Sequence, residues 1–331
     1  MKAVVYCDPL SVAVQDVPAP QGDGVLLNVE ACGICGTDLT IFKGAHPRSK
    51  PPLILGHEFV ARIAEDREGF AKGDRVVCFP LISCGTCETC RSGQPHICEV
   101  LRLYGIDEPG GMAEQVRIPA ADLIRIGDHI PAAVAAQAEP LAVCVHAARR
   151  ARVKPTDAVA IIGAGPIGTT LAAFLRQEGV SSVKLFDTNA TRIDRLKEGG
   201  FDAKLVSPAA YKQALAEIGR SGFDVIFECA GAEQAVTDAL EHVRVGGRVA
   251  IVSIHKGALP VDLQRIAFRE IELIGTRVYT RADFEDAVAM MGRMTESLSW
   301  IAGDAYGLTD APDMLRDLAN GAGPLKAIVG V

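Results

Sequence analysis

Up to about residue 140 the chain runs as short apolar stretches broken by turn residues. Residues 2–6 (KAVVY), 24–31 (GVLLNVEA), 54–65 (ILGHEFVARIAE) and 74–80 (DRVVCFP) carry β-branched runs bounded by Gly, Pro and Asp, the pattern of strands. They predict an all-β, barrel-like unit. Near residue 131 the texture changes. PAAVAAQAEPLAVCVHAARRARV is Ala-rich with helical spacing, and Lys154-Pro155-Thr156-Asp157 then punctuates it. From Ala158 strand and helix alternate. AVAIIG leads through a glycine turn into PIGTTLAAFLRQEG, where Ile167, Leu171 and Leu175 share one helix face. Gly179 stands where a helix C-terminus needs glycine, and residues 181–187 (SSVKLFD) form the next strand. DVIFECAG, EQAVTDALEHV, GGRVAIVS and IELIGTRVY continue the alternation to about residue 279. Alternating strands and helices imply parallel pairing, hence a doubly wound α/β sheet. The remaining residues are mixed and end in LKAIVGV, a candidate strand returning to the first domain.

With 331 residues the chain has room for about two domains at roughly 100–200 residues each. An aromatic fraction of 5% with one Trp argues against a stacking platform for single-stranded nucleic acid. A net charge of −7 argues against a duplex-binding surface. The opening MKAVVYCDPL has no apolar run of signal-peptide length, and nothing approaches the ~18 apolar residues of a membrane span. A cytoplasmic protein without nucleic-acid or membrane partners is expected. Ten cysteines in such a chain point to metal binding or free thiols, not to a disulfide framework.

Gly163-Ala164-Gly165-Pro166-Ile167-Gly168 is a G-x-G-x-x-G between a strand and a helix, with Asp187 ending the next strand 19 residues past Gly168. The spacing suits a dinucleotide. Gly163 permits the tight turn, Gly165 lets backbone approach a pyrophosphate, and Gly168 lets helix pack on strand. The helix N-terminus offers free N–H groups to the phosphates. Asp187 would accept from the ribose hydroxyls and select NAD, while Arg192 is a potential partner for a 2′-phosphate.

Cys84-x2-Cys87-x2-Cys90-x7-Cys98 has the spacing of a tetrahedral, closed and therefore structural zinc site. Free cysteines, an iron–sulfur cluster and a zinc-ribbon reader are the alternatives. The last is disfavoured by a lobe carrying Arg91 against Glu88 and Glu99. Two further clusters, Cys32-Gly-Ile-Cys35-Gly-Thr37-Asp38 and Gly56-His57-Glu58, are ambiguous alone: a redox pair and a turn would explain them.

Taken in order, ACGICGTDL, LILGHEF, KGDRVV, the four-cysteine lobe, IIGAGPIG and DVIFECAGA resemble the medium-chain zinc alcohol dehydrogenases over essentially the whole chain. The resemblance implies a GroES-like catalytic domain (1–143 and 280–331, with the zinc lobe at 84–98) and a Rossmann NAD-binding domain (144–279). It implies two zinc ions, NAD, and a homodimer or homotetramer. Cys35 and His57 become catalytic zinc ligands, Cys32 a packing residue and Asp38 the acceptor that orients His57. Glu139-Pro140-Leu141 resembles the polyol and threonine dehydrogenase branch, where Glu is the third ligand; Cys144 is then a buried small hydrophobe. Glu58 would bind zinc directly or accept from a ligand water. Thr37 would take the alcohol proton, whereas Thr40 stands where ethanol-type members have a His. Val143 would pack behind the nicotinamide, with Cys229, Val252, Ser253 and Val278 as cofactor contacts. Tyr279 falls where sorbitol-type enzymes hold substrate with Arg, and Arg277 lies two residues earlier, so that role is not carried over. The implied reaction is oxidation of a secondary alcohol (polyol, vicinal diol or sugar acid) to a ketone. A zinc-free quinone reductase and a non-catalytic binding protein on the same scaffold are the alternatives.

Overall fold

A computed structural model describes residues 1–331. The chain divides into two units, Met1–Ala142 with Thr280–Val331, and Val143–Tyr279. The boundary falls inside the helix Ala138–Arg150.

The first unit is built on antiparallel strands. Val25–Gly33 lies at its centre, pairing with Glu58–Ile63, Gln115–Ile118 and, near the other end of the chain, Ile328–Gly330. The C-terminal run thus does return as a strand. One sequence expectation is corrected. Residues 54–65 are not one strand: Leu53–Ile54 and Glu58–Ile63 pair in different sheets, and Leu55-Gly56-His57 turns the chain between them. The residues after 280, which carry no clear pattern, include the 22-residue helix Arg281–Ala302. A capping box starts it, with Thr280 accepting from Asp283 N–H and the Asp283 carboxylate accepting from Thr280 N–H at 3.0 Å. Its apolar face is Met-rich (Met290, Met291, Met294), and these side chains are buried. Gln137 donates to Leu298 O at 2.9 Å, fastening this helix to the Ala-rich segment.

The second unit is a six-stranded parallel sheet in which Ala158–Ile162 lies between Ser182–Asp187 and Phe223–Glu228. Strand Ala158–Ile162 is buried at every position, as expected when helices cover both faces. Phe186, Tyr211 and Phe223 form the aromatic centre of its core, with Phe186 and Tyr211 stacked at 4.3 Å. The Tyr211 hydroxyl donates to Asp238 at 3.2 Å, so the buried phenol keeps a partner. A buried ion pair, Arg248 to Asp157 at 2.8 Å, ties the strand Val243–Ile251 to the turn before the first strand.

Candidate active site

Gly56 has φ +97°, a conformation glycine adopts without steric cost. A Cβ there would sit 2.5 Å from Cys32 Sγ and 2.7 Å from Met112 Cγ. This turn delivers His57 to the start of Glu58–Ile63. Because Gly33 pairs with Glu58 in the sheet, the chain leaving Gly33 brings Cys35, the N-cap of the helix Gly36–Phe42, beside His57. Ligand atoms of Cys35, His57 and Glu58 lie within 4.8 Å of one another, and His57 and Glu58 are 3% and 1% exposed. Asp38 accepts from Cys35 N–H at 2.8 Å through Oδ2, and its Oδ1 faces His57 Nδ1 at 3.9 Å.

Those last two atoms are buried without hydrogen-bond partners, a costly arrangement when protein groups are the whole inventory. The electrostatics point the same way. Burial lowers the His57 pKa, but Asp38 and Cys35 outweigh it and push the imidazole well up. Lys326 is fully buried nearby; burial opposes its charge, yet Glu58 and Cys35 push its pKa up. Both shifts report a pocket of negative potential that draws cations. Thiolate, imidazole and carboxylate are zinc donors, so the residues present fit that ion. Cys32 differs. Burial, then the charges of Asp38 and Glu58, push its thiol well up, which keeps it a protonated packing residue.

Glu139 is 7% exposed in the first turn of Ala138–Arg150. It lies outside the 4.8 Å cluster, although its charge acts on both His57 and Lys326. Cys144, further along the same helix, is buried with Sγ 3.5 Å from Ile167 O. Thr37 Oγ1 lies 3.8 Å from Cys35 Sγ, while the Thr40 hydroxyl donates to Gly36 O at 3.0 Å. Lys326 escaped sequence reasoning. Its only signal was a lone cation in the apolar run LKAIVGV.

In the lobe, Cys84, Cys87, Cys90 and Cys98 gather within 4.8 Å. Cys84–Cys90 and Cys87–Cys98 sulfur separations are 4.0 and 3.9 Å, near the ~3.8 Å edge of a tetrahedron with Zn–S of about 2.3 Å. Cys84 Sγ accepts from the N–H groups of Thr86 and Cys87 at 3.4 and 3.3 Å, donors that stabilise thiolate. Zinc fits here too.

The nucleotide motif stands in the second unit. A Cβ on Gly163 (φ +100°) would meet Ala230 N at 2.6 Å, and one on Gly168 would meet Gly163 O at 1.9 Å, whereas Gly165 faces open space. Pro166 opens the following helix with Ile167 next. Gly163, Gly165, Asp187, Arg192 and Cys229 line a cavity of about 350 Å³; Pro166, Ile167, Gly168, Val252, Ser253 and Val278 lie outside its lining. Asp187 is already engaged, accepting from Ala164 N–H at 2.8 Å, Asn189 N–H at 2.9 Å and Arg192 at 2.9 Å. Sequence reasoning also missed Glu228. Its buried carboxylate accepts from Ala230 and Gly231 N–H at 2.8 Å each and from the Ser253 hydroxyl, with His255 at 3.0 Å. It pins the loops that carry Cys229 and Ser253. Val278 holds φ +43°.

Residues 21–128 match the alcohol dehydrogenase GroES-like domain, and residues 166–293 match the zinc-binding dehydrogenase domain. A 2-dehydro-3-deoxy-L-galactonate 5-dehydrogenase from Pseudoalteromonas atlantica is 35% identical over 94% of this chain and 92% of its own. An L-threonine 3-dehydrogenase from Anaeromyxobacter sp. (strain K) is 34% identical over 86% of this chain and 84% of its own. Among solved structures, a zinc-binding dehydrogenase from Sinorhizobium meliloti bound to NADP is 30% identical. It superposes with a TM-score of 0.91 over 100% of this chain and 99% of its own. The chain belongs to the medium-chain zinc-dependent alcohol dehydrogenases, in the branch of polyol, sugar-acid and threonine dehydrogenases.

Proposed function

We propose that this dehydrogenase oxidises a secondary hydroxyl of a polyol, vicinal diol or sugar acid to the ketone, with NAD as the preferred acceptor. The observation that carries the reading is the convergence of half-buried Cys35 with buried His57 and Glu58, beside the Thr37 hydroxyl. Cys35 and His57 hold the catalytic zinc, with a carboxylate of Glu58 or Glu139 as third ligand, and Cys84, Cys87, Cys90 and Cys98 hold the structural one. When bound, zinc supplies the Lewis acidity that lets the hydroxyl proton leave near neutral pH, and the nicotinamide takes the carbinol hydrogen as hydride. Thr37 accepts the hydroxyl proton as it releases its own to water. Thr40, an alcohol that donates to Gly36 O, is no base, so the proton leaves by water. Asp38, whose Oδ1 stands 3.9 Å from His57 Nδ1, beyond hydrogen-bond reach, acts on His57 by its charge. Gly163, Gly165, Pro166, Ile167 and Gly168 set the nucleotide's phosphates at the helix N-terminus, and Asp187 meets its ribose.

An alcohol panel (butanediol, sorbitol, xylitol, threonine, idonate, galactonate) read by NADH absorbance tests this. Turnover of one of the polyhydroxy or sugar-acid members is expected; activity confined to ethanol-like primary alcohols would overturn the reading. We propose in addition a homodimer or homotetramer. Strand Glu272–Gly275 is one of the two edges of the parallel sheet, with Leu273, Leu263 and Phe268 exposed on it and beside it in sequence, a surface that invites pairing. A light-scattering mass at the monomer's 35.0 kDa would contradict it. No helix is long and apolar enough to cross a membrane.

A further inference from the structure

The cavity of the second unit is lined by more than the glycine turn and Asp187. Val206, Gln234, Ala235 and Asp238 also face it, the last three on the helix Glu233–His242. Asp238 is 8% exposed, and it is met by neutral donors. Its Oδ2 accepts from the Tyr211 hydroxyl at 3.2 Å and its Oδ1 from Gln234 Nε2 at 2.8 Å. Tyr211 stays a donor, because burial and then the charge of Asp238 push its phenol up. His242, stacked on Tyr211 at 4.1 Å, brings no charge near neutral pH: burial lowers its pKa against the opposing pull of Glu241 and Asp238.

Asp187, in the same cavity, is treated differently. It has the Arg192 guanidinium at 2.9 Å and two backbone N–H groups. Asp238 has one neutral donor per oxygen, and each carboxylate oxygen has room for two. A buried charge so placed is stabilised by a further donor, which the occupant of the cavity can supply. The covalent order of a dinucleotide says what that donor is. With the phosphates at the glycine turn and the ribose hydroxyls at Asp187, the base enters the remainder of the cavity, where Val206 and Ala235 offer apolar contact to a flat ring. At its 6-position adenine presents an amino group, a donor, whereas hypoxanthine presents a carbonyl oxygen, an acceptor.

We propose that Asp238 is a specificity-determining residue that reads the base of the nucleotide, accepting from the 6-amino group of adenine and rejecting a 6-oxo purine by repulsion between the two oxygens. Tyr211 and Gln234 hold the carboxylate in place. This rests on the assignment of the nucleotide to the glycine turn and Asp187.

Isothermal titration calorimetry of the whole protein with NAD and with nicotinamide hypoxanthine dinucleotide, which differs from NAD at the base alone, reads this without turnover. Wild type should bind NAD about 10–100-fold more tightly, the scale of one hydrogen bond to a charged group. Asp238→Asn keeps an acceptor for Tyr211 and gains an N–H able to serve the oxo group. Its ratio should fall toward unity, through weaker NAD and tighter hypoxanthine binding together. Tyr211→Phe removes a buried partner of Asp238 and leaves the carboxylate, so it should keep the preference for NAD. Equal Kd values for the two dinucleotides in wild type would overturn the proposal, with no variant needing to fold. An Asp238→Asn protein with the wild-type ratio would do the same. So would a Tyr211→Phe protein that loses the preference as Asp238→Asn does, since the effect would then come from packing. Binding of neither dinucleotide to wild type would instead sink the nucleotide assignment itself.

Discussion

At the scale of single residues, the proposed preference for NAD rests on Asp187 and Arg192. Arg192 lies close enough in sequence to serve a 2′-phosphate, but its guanidinium is committed to Asp187 at 2.9 Å. The carboxylate also organises the turn, through Ala164 and Asn189 N–H. An NADP 2′-phosphate would meet a buried anion and would have to pull Arg192 away from it. We expect wild type to prefer NAD by at least ~100-fold in kcat/KM, about 2.7 kcal/mol. Asp187→Ser should weaken NAD and improve NADP together by freeing Arg192, with the preferred alcohol unchanged. Kinetics with both cofactors read this directly; a wild type using them equally would show that the ion pair opens at no cost. Asp187 was legible because its position after the glycine turn is fixed by local geometry. Lys326 was not, because its partner Glu58 is 268 residues away and no local pattern announces that contact.

At the scale of elements, the turn at Leu55–His57 is the informative one. Hydrophobicity alone reads residues 54–65 as a single strand, since Leu55, Phe59 and Val60 are all buried apolar residues. Backbone geometry at Gly56 breaks it, and the break is what sets His57 at the start of its strand. Gly56→Ala would require a strained φ and intrude on Cys32 Sγ and Met112. We expect a loss of at least ~1–2 kcal/mol, the cost of left-handed backbone for a residue with a Cβ, seen as a lower Tm and with it a lower metal content. Unchanged Tm and zinc would mean the turn tolerates a side chain. The four-cysteine lobe and the strand–glycine–helix unit were readable from sequence because each is closed within a few dozen residues. The helix Arg281–Ala302 was not; its buried Met290, Met291 and Met294 share their stretch with Arg293, Glu296 and Ser297, which blurs the period.

At the scale of the whole molecule, one chain is proposed to carry two zinc sites of different kinds. The lobe's four sulfurs lie within 4.8 Å of one another, a full set of four thiolate donors of the kind that suits a closed, structural ion. The Cys35–His57 pocket has fewer protein donors, with the Thr37 hydroxyl 3.8 Å from Cys35 Sγ. Metal analysis of wild type, Cys35→Ser and Cys90→Ser, each paired with turnover, separates the two most directly. Wild type should contain about two zinc per chain, and Cys35→Ser about one, folded but inactive, because only the open site is lost. Cys90→Ser should instead lose solubility and thermal stability. A wild type without zinc, or a Cys35→Ser enzyme with near-wild-type activity, would contradict the account.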